Sequence, residues 1–463
     1  MTKSIFELKR SLYENSPDFA KQLVGLVPFS LISGKAYRET MKADKQLDFA
    51  SAEANRLHQA QLLKKILTYA SDHVPFYRPF RDVVQKYAPH EALQEFPIID
   101  KELVQERPDD FRSLQHETLP YYETTTGGTS GNQLKILLDN DSHYRETAFI
   151  HRLWSRVGYR PIHRKATFRG QVIKTKSEEV FWKLNPIYRE LQFSTFHLAP
   201  DNIHQYVRKL NQYRPDYVHG YPSVVSTIAN HLLSSADLEL TASPKAVLLG
   251  SEATFDGQRE LIEKAYRCRV YSWYGHSERL ILGGECELND SYHQLPDYGY
   301  AEILKADDTA ALPGERGELV GTTFRNRIMP LIRYRTGDVA TRLDSPCECG
   351  RNDFRFGSVQ GRWNQEFLVG RSGAKIYSTA LNMHGDAFMH VMRYQYVQTK
   401  RGELLIKIMP GQEFSEADKC NITNEFKARI GHDFAIAYDV VDDIPLTARG
   451  KFRRVIQEIR SEQ

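Results

Sequence analysis

Between Tyr121 and Glu278 short apolar runs bounded by turn residues alternate with segments of helical periodicity, which constrains the architecture more than any other feature of the chain. Ala246-Val-Leu-Leu249 reads as a buried strand and Gly250-Ser-Glu-Ala-Thr-Phe-Asp256 as the turn after it. Gln258–Tyr266 then reads as a helix and Val270–Tyr274 as the next strand. Strands alternating with helices in this way require a sheet covered by helices, an α/β fold. Upstream, Leu57, Ala60, Leu63, Ile66, Leu67 and Ala70 recur at helical spacing. That helix must end before His73-Val-Pro75, because the residue preceding a proline avoids the α region. From Glu315 the texture changes to short strands, Gly317–Thr323 and Ile332–Arg335. After Gly361-Arg362, Glu403–Pro410 reads as a strand, Ser415–Ile430 as a helix and Ala435–Val441 as a strand. That ending is an α+β unit of about 100 residues, large enough for a separate domain. We therefore expect a large N-terminal domain over residues 1–362 and a small C-terminal domain over 363–463.

Composition closes off several classes. A chain of 463 residues can bury about three quarters of its unfolded surface and needs no disulfide staples. The five cysteines, Cys268, Cys286, Cys347, Cys349 and Cys420, are an odd set with no signal peptide before them, which argues against a disulfide framework. A net charge of +3 gives no nucleic-acid footprint. The apolar run Leu23–Ile32 is shorter than the ~20 residues a bilayer span needs, and reads as a packed N-terminal helix or a membrane-surface contact. The expected setting is the cytoplasm.

Four segments carry chemistry. Glu123-Thr-Thr-Thr-Gly-Gly-Thr-Ser-Gly-Asn132 lies between Leu119–Tyr122 and the apolar run Leu134–Leu138. Glycines let backbone approach a bulky anion, and exposed N–H groups with hydroxyls can wrap its oxygens. No Gly-Lys-Ser/Thr follows, so this is not a Walker loop, and by itself such a loop is more often just a turn. Tyr274-Gly-His-Ser-Glu278 follows directly on a strand, where α/β sheets bind ligands. There Tyr274 could stack on a base and Glu278 could hold Mg²⁺ through oxygen, unless the segment is an ordinary turn with a solvated charge. Tyr334-Arg-Thr-Gly-Asp338 offers a carboxylate for two ribose hydroxyls, or else a Thr-Gly-Asp hairpin turn. Pro445-Leu-Thr-Ala-Arg-Gly-Lys-Phe-Arg-Arg454 is either a functional lysine loop or a basic tail.

In this order the four segments resemble the motif series of the adenylate-forming superfamily of acyl-CoA synthetases, luciferases and peptide-synthetase adenylation domains. Gly127-Gly-Thr-Ser-Gly131 resembles its phosphate loop, with Gly127 in place of the first hydroxyl and Gln133 in place of the usual proline. Tyr274–Glu278 and Tyr334–Asp338 match its aromatic-Gly-x-Ser/Thr-Glu and Tyr-Arg-Thr-Gly-Asp motifs. Gly361-Arg362 resembles the start of its hinge and Gly450-Lys451 its C-terminal Gly-Lys. Asn364 or Gln365 stands where the family's hinge carries an acidic residue or lysine. Gln61–Leu67, His73–Arg78 and Phe96-Pro-Ile-Ile-Asp-Lys101 resemble the phenylacetate–CoA ligases. Ser16-Pro17 and Gln22 through Arg38 resemble the capsule-biosynthesis branch.

The resemblance implies a large adenylate-forming domain with helix-covered sheets and a small mobile lid. It implies that a carboxylic acid is activated with ATP and Mg²⁺ and passed to an acceptor, typically coenzyme A. Thr126, Gly127, Gly128, Thr129, Ser130 and Gly131 would embrace the phosphates, and Glu278 would hold Mg²⁺. Gly250, Ser251 and Glu252 would line the adenine side together with Tyr274, Gly275, His276 and Ser277. Asp338 and Arg362 would fix the ribose, and Lys451 would reach the reacting carboxylate and α-phosphate. His219-Gly-Tyr-Pro222 and Trp273 are candidates to shape the acid's pocket. The acceptor could instead be a sugar, an amine or a carrier. AMP itself could be transferred to a small molecule, as coenzyme F390 synthetases do, or the chain could bind nucleotide without catalysis. Expected partners are small molecules, not nucleic acid, and a homodimer is compatible with this reading.

Cys286, His293, Cys347 and Cys349 form a Cys-x6-His and a Cys-x-Cys pair, with Gly350 at the turn. Zinc takes four tetrahedral Cys/His ligands, and a closed set of this kind is structural. The other reading is three buried thiols and a surface histidine. Some phenylacetate–CoA ligase relatives carry a similar structural zinc.

Overall fold

The computed structural model describes residues 12–13, 15–125, 134–169, 173, 180–195, 197–198, 200–235, 237–252, 254, 257–343, 346–360, 367–377, 381, 386–388, 390–410, 414–444 and 455–459. Strands β1 (Tyr121–Thr125) and β2 (Lys135–Asp139) pair antiparallel and flank residues 126–133. The main sheet, twelve-stranded among the described residues, begins with β3 (Lys165–Phe168), β4 (Trp182–Asn185) and β5 (Glu190–Phe193). It continues through β6 (Tyr217–Gly220), β7 (Ala246–Gly250) and β8 (Arg269–Gly275). Then come β9 (Leu282–Gly284), β10 (Tyr292–Gln294), β11 (Gly299–Leu304), β12 (Arg316–Thr323), β13 (Tyr334–Leu343) and β14 (Arg355–Gln360). From β5 through β3, β6 and β7 to β8 neighbours are parallel; from β8 onward every pairing is antiparallel.

Burial accounts for this division. All five residues of β7 are buried, as a parallel strand covered on both faces must be. Alternate residues go to opposite layers. Val218, Val247, Leu249 and Val270 pack with α3 (Pro200–Tyr213), α4 (Pro222–Ser234) and α5 (Gln258–Tyr266). Tyr217, Leu248, Tyr271 and Trp273 pack on the other side against α2 (Ser142–Ser155). A third core joins β2 and the antiparallel half to α1 (Ala52–His73), through Leu63, Ile66, Leu67 and Ala70.

The expected elements appear with instructive differences. α1 starts where Ser51 Oγ accepts the Ala54 N–H at 3.1 Å, and runs through His73 until Val74, before Pro75, turns extended. The strand expected from Ile332 begins only at Tyr334, because Arg333 has a positive φ of 51°, outside the extended region. The apolar run Leu23–Ile32 is split at Pro28 between helices Asp18–Gly25 and Phe29–Ile32. Phe29 packs on Tyr37, while Leu23, Leu26 and Leu31 face outward, so the run is only partly the packed helix expected. No helix among the described residues is long and apolar enough to cross a membrane.

The C-terminal part has its own core. β17 (Val391–Gln398) and β18 (Glu403–Pro410) pair antiparallel, flanked in parallel by β20 (Val455–Gln457) and β19 (Ala435–Val440). A small pair, β15 (Phe367–Val369) and β16 (Lys375–Tyr377), precedes them. Helix α6 (Glu416–Ile430), capped reciprocally by Ser415 and Asp418, packs Ile422, Phe426 and Ile430 on this sheet.

Candidate functional site

Two of the motif segments meet where the parallel half of the sheet gives way to the antiparallel half. β8 ends in Tyr274-Gly275, beside Gly250 at the end of β7 and across from Gly283 of β9. A side chain at Gly250 would bring a Cβ within 2.5 Å of the Trp273 indole, so only glycine lets β7 lie flush here. Ser251, directly after, has a φ of 71°, a conformation a serine rarely adopts, and its Oγ accepts a hydrogen bond from Arg169.

The Thr-Gly-Asp segment is not a hairpin turn. Arg335 pairs with Val320 and Val339 with Glu318, so β13 carries extra residues between them and bulges. Gly337 supplies the positive φ of 75° and donates its N–H to Glu318 at 2.9 Å. The Thr336 hydroxyl donates to the Leu319 carbonyl at 2.8 Å and accepts the Asp338 N–H at 3.1 Å. The bulge turns Asp338 toward β8, where its carboxylate accepts the Tyr274 hydroxyl at 2.8 Å. Burial, reinforced by the Asp338 charge, holds the Tyr274 phenol well above its ordinary pKa. Tyr274→Phe should therefore cost about 1.5–3 kcal/mol, the range for a hydrogen bond to a charged group, in chemical denaturation. An unchanged midpoint would show that the contact holds nothing in place.

Glu278 is fixed from two sides. His276 Nε2 accepts the Ile281 N–H at 3.2 Å, so the ring hydrogen sits on Nδ1, 3.0 Å from Glu278 Oε2. The Tyr334 hydroxyl reaches toward Glu278 Oε1 at 3.4 Å. Burial works against the carboxylate, but the His276 hydrogen bond, the Glu278 N–H and Lys101 outweigh it. Glu278 is thus held below the ordinary carboxylate range, an anionic oxygen of the kind Mg²⁺ takes. Lys101 is brought close because Ile99 bridges Tyr334 in parallel, its N–H donating to the Arg333 carbonyl at 3.0 Å. Arg279, next to Glu278, lies beside Tyr122 of β1, which ties the β1–β2 hairpin to the same region.

The structure thus brings together Tyr274, Gly275, His276, Ser277, Glu278 and Asp338, with Gly250, Ser251 and Glu252 on the adjoining strand end. Thr126, Gly127, Gly128, Thr129, Ser130, Gly131, Arg362 and Lys451 lie outside the described residues, as do Gln133, Gly361, Asn364, Gln365 and Gly450. Tyr334 and Lys101 as neighbours of Glu278, and Arg169 as partner of Ser251, were not singled out from the sequence. Their contacts depend on strand register, and no local pattern marks them.

A second cluster lies on the next strands. Cys286 follows β9, His293 is on β10, and Cys347-Glu-Cys-Gly350 forms a turn before β14. That turn closes with the Gly350 N–H on the Cys347 carbonyl at 2.9 Å, Gly350 adopting a φ of 88°. The four ligand atoms lie within 4.8 Å of one another. Cys286 Sγ and Cys347 Sγ are 4.0 Å apart, and Cys349 Sγ is 3.8 Å from His293 Nε2. Two sulfurs bound at ~2.3 Å to one tetrahedral centre stand about 3.8 Å apart, so the set fits zinc. His293 is fully buried, against the surface histidine of the other reading. Its Nδ1 lies 2.6 Å from Asp353 Oδ1, which leaves Nε2 directed at the cluster. The Asn289 amide donates to Cys347 Sγ at 3.0 Å, and the Leu288 N–H approaches Cys286 Sγ at 3.4 Å. Asp353 and Asn289 escaped notice because neither stands at a ligand spacing.

Residues 368–458 match the family model described as the CapK C-terminal domain. Protein CapK of Staphylococcus aureus is 26% identical, over 80% of this chain and 81% of that protein. Phenylacetate–coenzyme A ligase of Thermus thermophilus is 24% identical, over 89% of this chain and 98% of the relative. A solved structure of 2-hydroxyisobutyryl-CoA ligase, in complex with 2-HIB-AMP and CoA in the thioesterification state, superposes with a TM-score of 0.58. It is 20% identical and covers 89% of this chain and 91% of its own. The fold and the relatives define an adenylate-forming, ligase-like enzyme. Within that superfamily the chain is similar to the phenylacetate–CoA ligases and to CapK.

Proposed function

We propose that this chain activates a carboxylic acid with ATP as an acyl-adenylate and transfers the acyl group to coenzyme A. The observation that carries the reading is the convergence of Tyr274, Glu278 and Asp338 at the carboxyl end of β8. In the first step the acid's carboxylate attacks the α-phosphorus of ATP and pyrophosphate leaves. In the second, the acceptor's nucleophile displaces AMP from the acyl carbon. Both steps need charge stabilisation more than covalent help from the protein. Asp338, steadied by Tyr274, and Arg362 bind the ribose hydroxyls. Thr126, Gly127, Gly128, Thr129, Ser130 and Gly131 bind the phosphates, and Gly250, Ser251 and Glu252 border the adenine. Glu278, oriented by His276, is the residue that would hold Mg²⁺, which supplies charge neutralisation on the phosphates when bound. Lys451 carries the cation to the reacting carboxylate from a lid formed by residues 363–463, which hinges after Arg362. Cys286, His293, Cys347 and Cys349 would hold one structural zinc. The chain acts in the cytoplasm on small molecules, and a homodimer suits it.

The expected result is ATP- and Mg²⁺-dependent pyrophosphate exchange with at least one acid of a broad panel. No exchange with any acid, together with no ATP binding by calorimetry, would falsify the reading. A second acceptor reading, in which the acyl or AMP group passes to a sugar, amine or other small molecule, follows from the resemblance of the N-terminal segment to the capsule-biosynthesis branch. Coenzyme A and such acceptors, offered in turn to the preformed acyl-adenylate, separate the two.

A further inference from the structure

Between the sheet and α2 lie buried polar atoms that the nucleotide chemistry does not use. His219 on β6 is 5% exposed, and neither ring nitrogen has a hydrogen-bond partner among the described residues. Trp154 of α2 packs edge-on against it, with ring centroids 4.8 Å apart, and the Trp154 indole N–H is unpartnered as well. So is the indole N–H of Trp273, whose ring covers the bare backbone of Gly250. Nearby buried groups behave differently: Lys165 pairs with Glu190 at 3.5 Å, and the Thr167 hydroxyl bonds the same carboxylate at 2.5 Å. Unpartnered buried polar atoms occur elsewhere too, Tyr271 and Thr195 among them, but His219 leaves both ring nitrogens without a partner among the described residues, and a buried polar group left so is costly enough to require explanation.

Its position supplies one. His219 lies in register between Thr167 of β3 and Leu248 of β7, one residue from the end of β6. Ligands of open α/β sheets bind at such carboxyl ends. Arg169 and Ser251 stand at the same ends, with the Arg169 guanidinium 5.3 Å from the Tyr221 ring. Trp273 leads directly into Tyr274, so the strand ends that carry His219 and Trp273 lie on the same parallel half of the sheet as the proposed nucleotide residues.

We infer that His219 reads a hydroxyl on the carboxylic acid, so that the enzyme's substrates are hydroxylated acids and not plain hydrocarbon ones. Burial, helped by the positive Arg169 and Lys165, keeps the imidazole well below its ordinary pKa and hence neutral, with one donor and one acceptor nitrogen. A hydroxyl can accept from the first or donate to the second. An ammonium would meet Arg169 and Lys165, and a hydrocarbon would leave both nitrogens stranded. The inference rests on the acid-activating reading above.

Pyrophosphate exchange by the full chain tests it with matched pairs: phenylacetate against 4-hydroxyphenylacetate, and butyrate against 3-hydroxybutyrate. A site built to hydrogen-bond a hydroxyl rejects the analogue lacking it by about 10⁴–10⁵-fold in kcat/KM. In His219→Phe, which keeps a ring against Trp154 but loses both nitrogens, the ratio should fall to near one; His219→Leu is the alternative if that variant does not fold. A wild-type ratio near one, as expected if buried water alone serves the ring, overturns the inference without any variant. A ratio that survives either substitution also overturns it. Exchange with the hydrocarbon acids alone removes this inference and leaves the ligase reading standing. Absence of exchange with every acid removes both.

Discussion

Lys451→Ala should lower kcat for adenylation by about 10²–10³, the scale of losing one oxyanion donor, because the charge acts on the transition state. The lysine stands four residues before β20, whose pairing with β17 ties this part of the chain to the small C-terminal sheet. If residues 363–463 form the proposed lid, Lys451 serves the large domain when that lid closes over the nucleotide. KM for ATP should move little if, as proposed, residues 126–131 and Asp338 supply the ground-state contacts. Starting from preformed acyl-adenylate, thioester formation should be nearly normal if the lid turns away between steps. Equal losses in both half-reactions would exclude that rotation. A normal adenylation rate would reduce Lys451 to part of a basic tail.

The second large effect concerns the metal. Protein purified without added zinc should carry one equivalent per chain by elemental analysis, and Cys347→Ser should lose it. A ligand held at about 1,000 times its Kd contributes about 4 kcal/mol to the folded state. For domains of this size each kcal/mol moves Tm by about 2–4 °C, so the expected drop is on the order of 10 °C. Asp353→Asn, which weakens the orientation of His293, should lower zinc affinity by about 10–100-fold while leaving the four ligands in place. Zinc near zero in the wild type, or unchanged in Cys347→Ser, would remove the site.

What was legible from the sequence was local. Gln258–Tyr266 and Glu403–Pro410 appear with the expected bounds, because turn residues and periodicity mark their ends. The four metal-ligand candidates were legible as residue types, but their convergence depends on the pairing of β9, β10 and β14. The bulge that aims Asp338 was read as a hairpin alternative, since Thr-Gly-Asp has the same local chemistry in both. Which partner Glu278 meets could not be read at all. Tyr334 is 56 residues away in the chain, and only the folded sheet brings it near.

The bridge between Ile99 and Tyr334 has a consequence for how the chain comes apart. Besides the Ile99 N–H, the Ile99 carbonyl accepts the Arg335 N–H at 2.9 Å, and the Arg333 guanidinium donates to the carbonyls of Gln94 and Phe96, each at 3.1 Å. Take away the first hundred residues and Arg333, which is 6% exposed, loses those acceptors while the strand bearing Asp338 loses its neighbour. The amino-terminal helices and the nucleotide strand therefore melt as one cooperative unit. A protease that frees the segment around Phe96–Lys101 should therefore disturb the proposed nucleotide site from behind, without cutting any residue proposed to contact nucleotide.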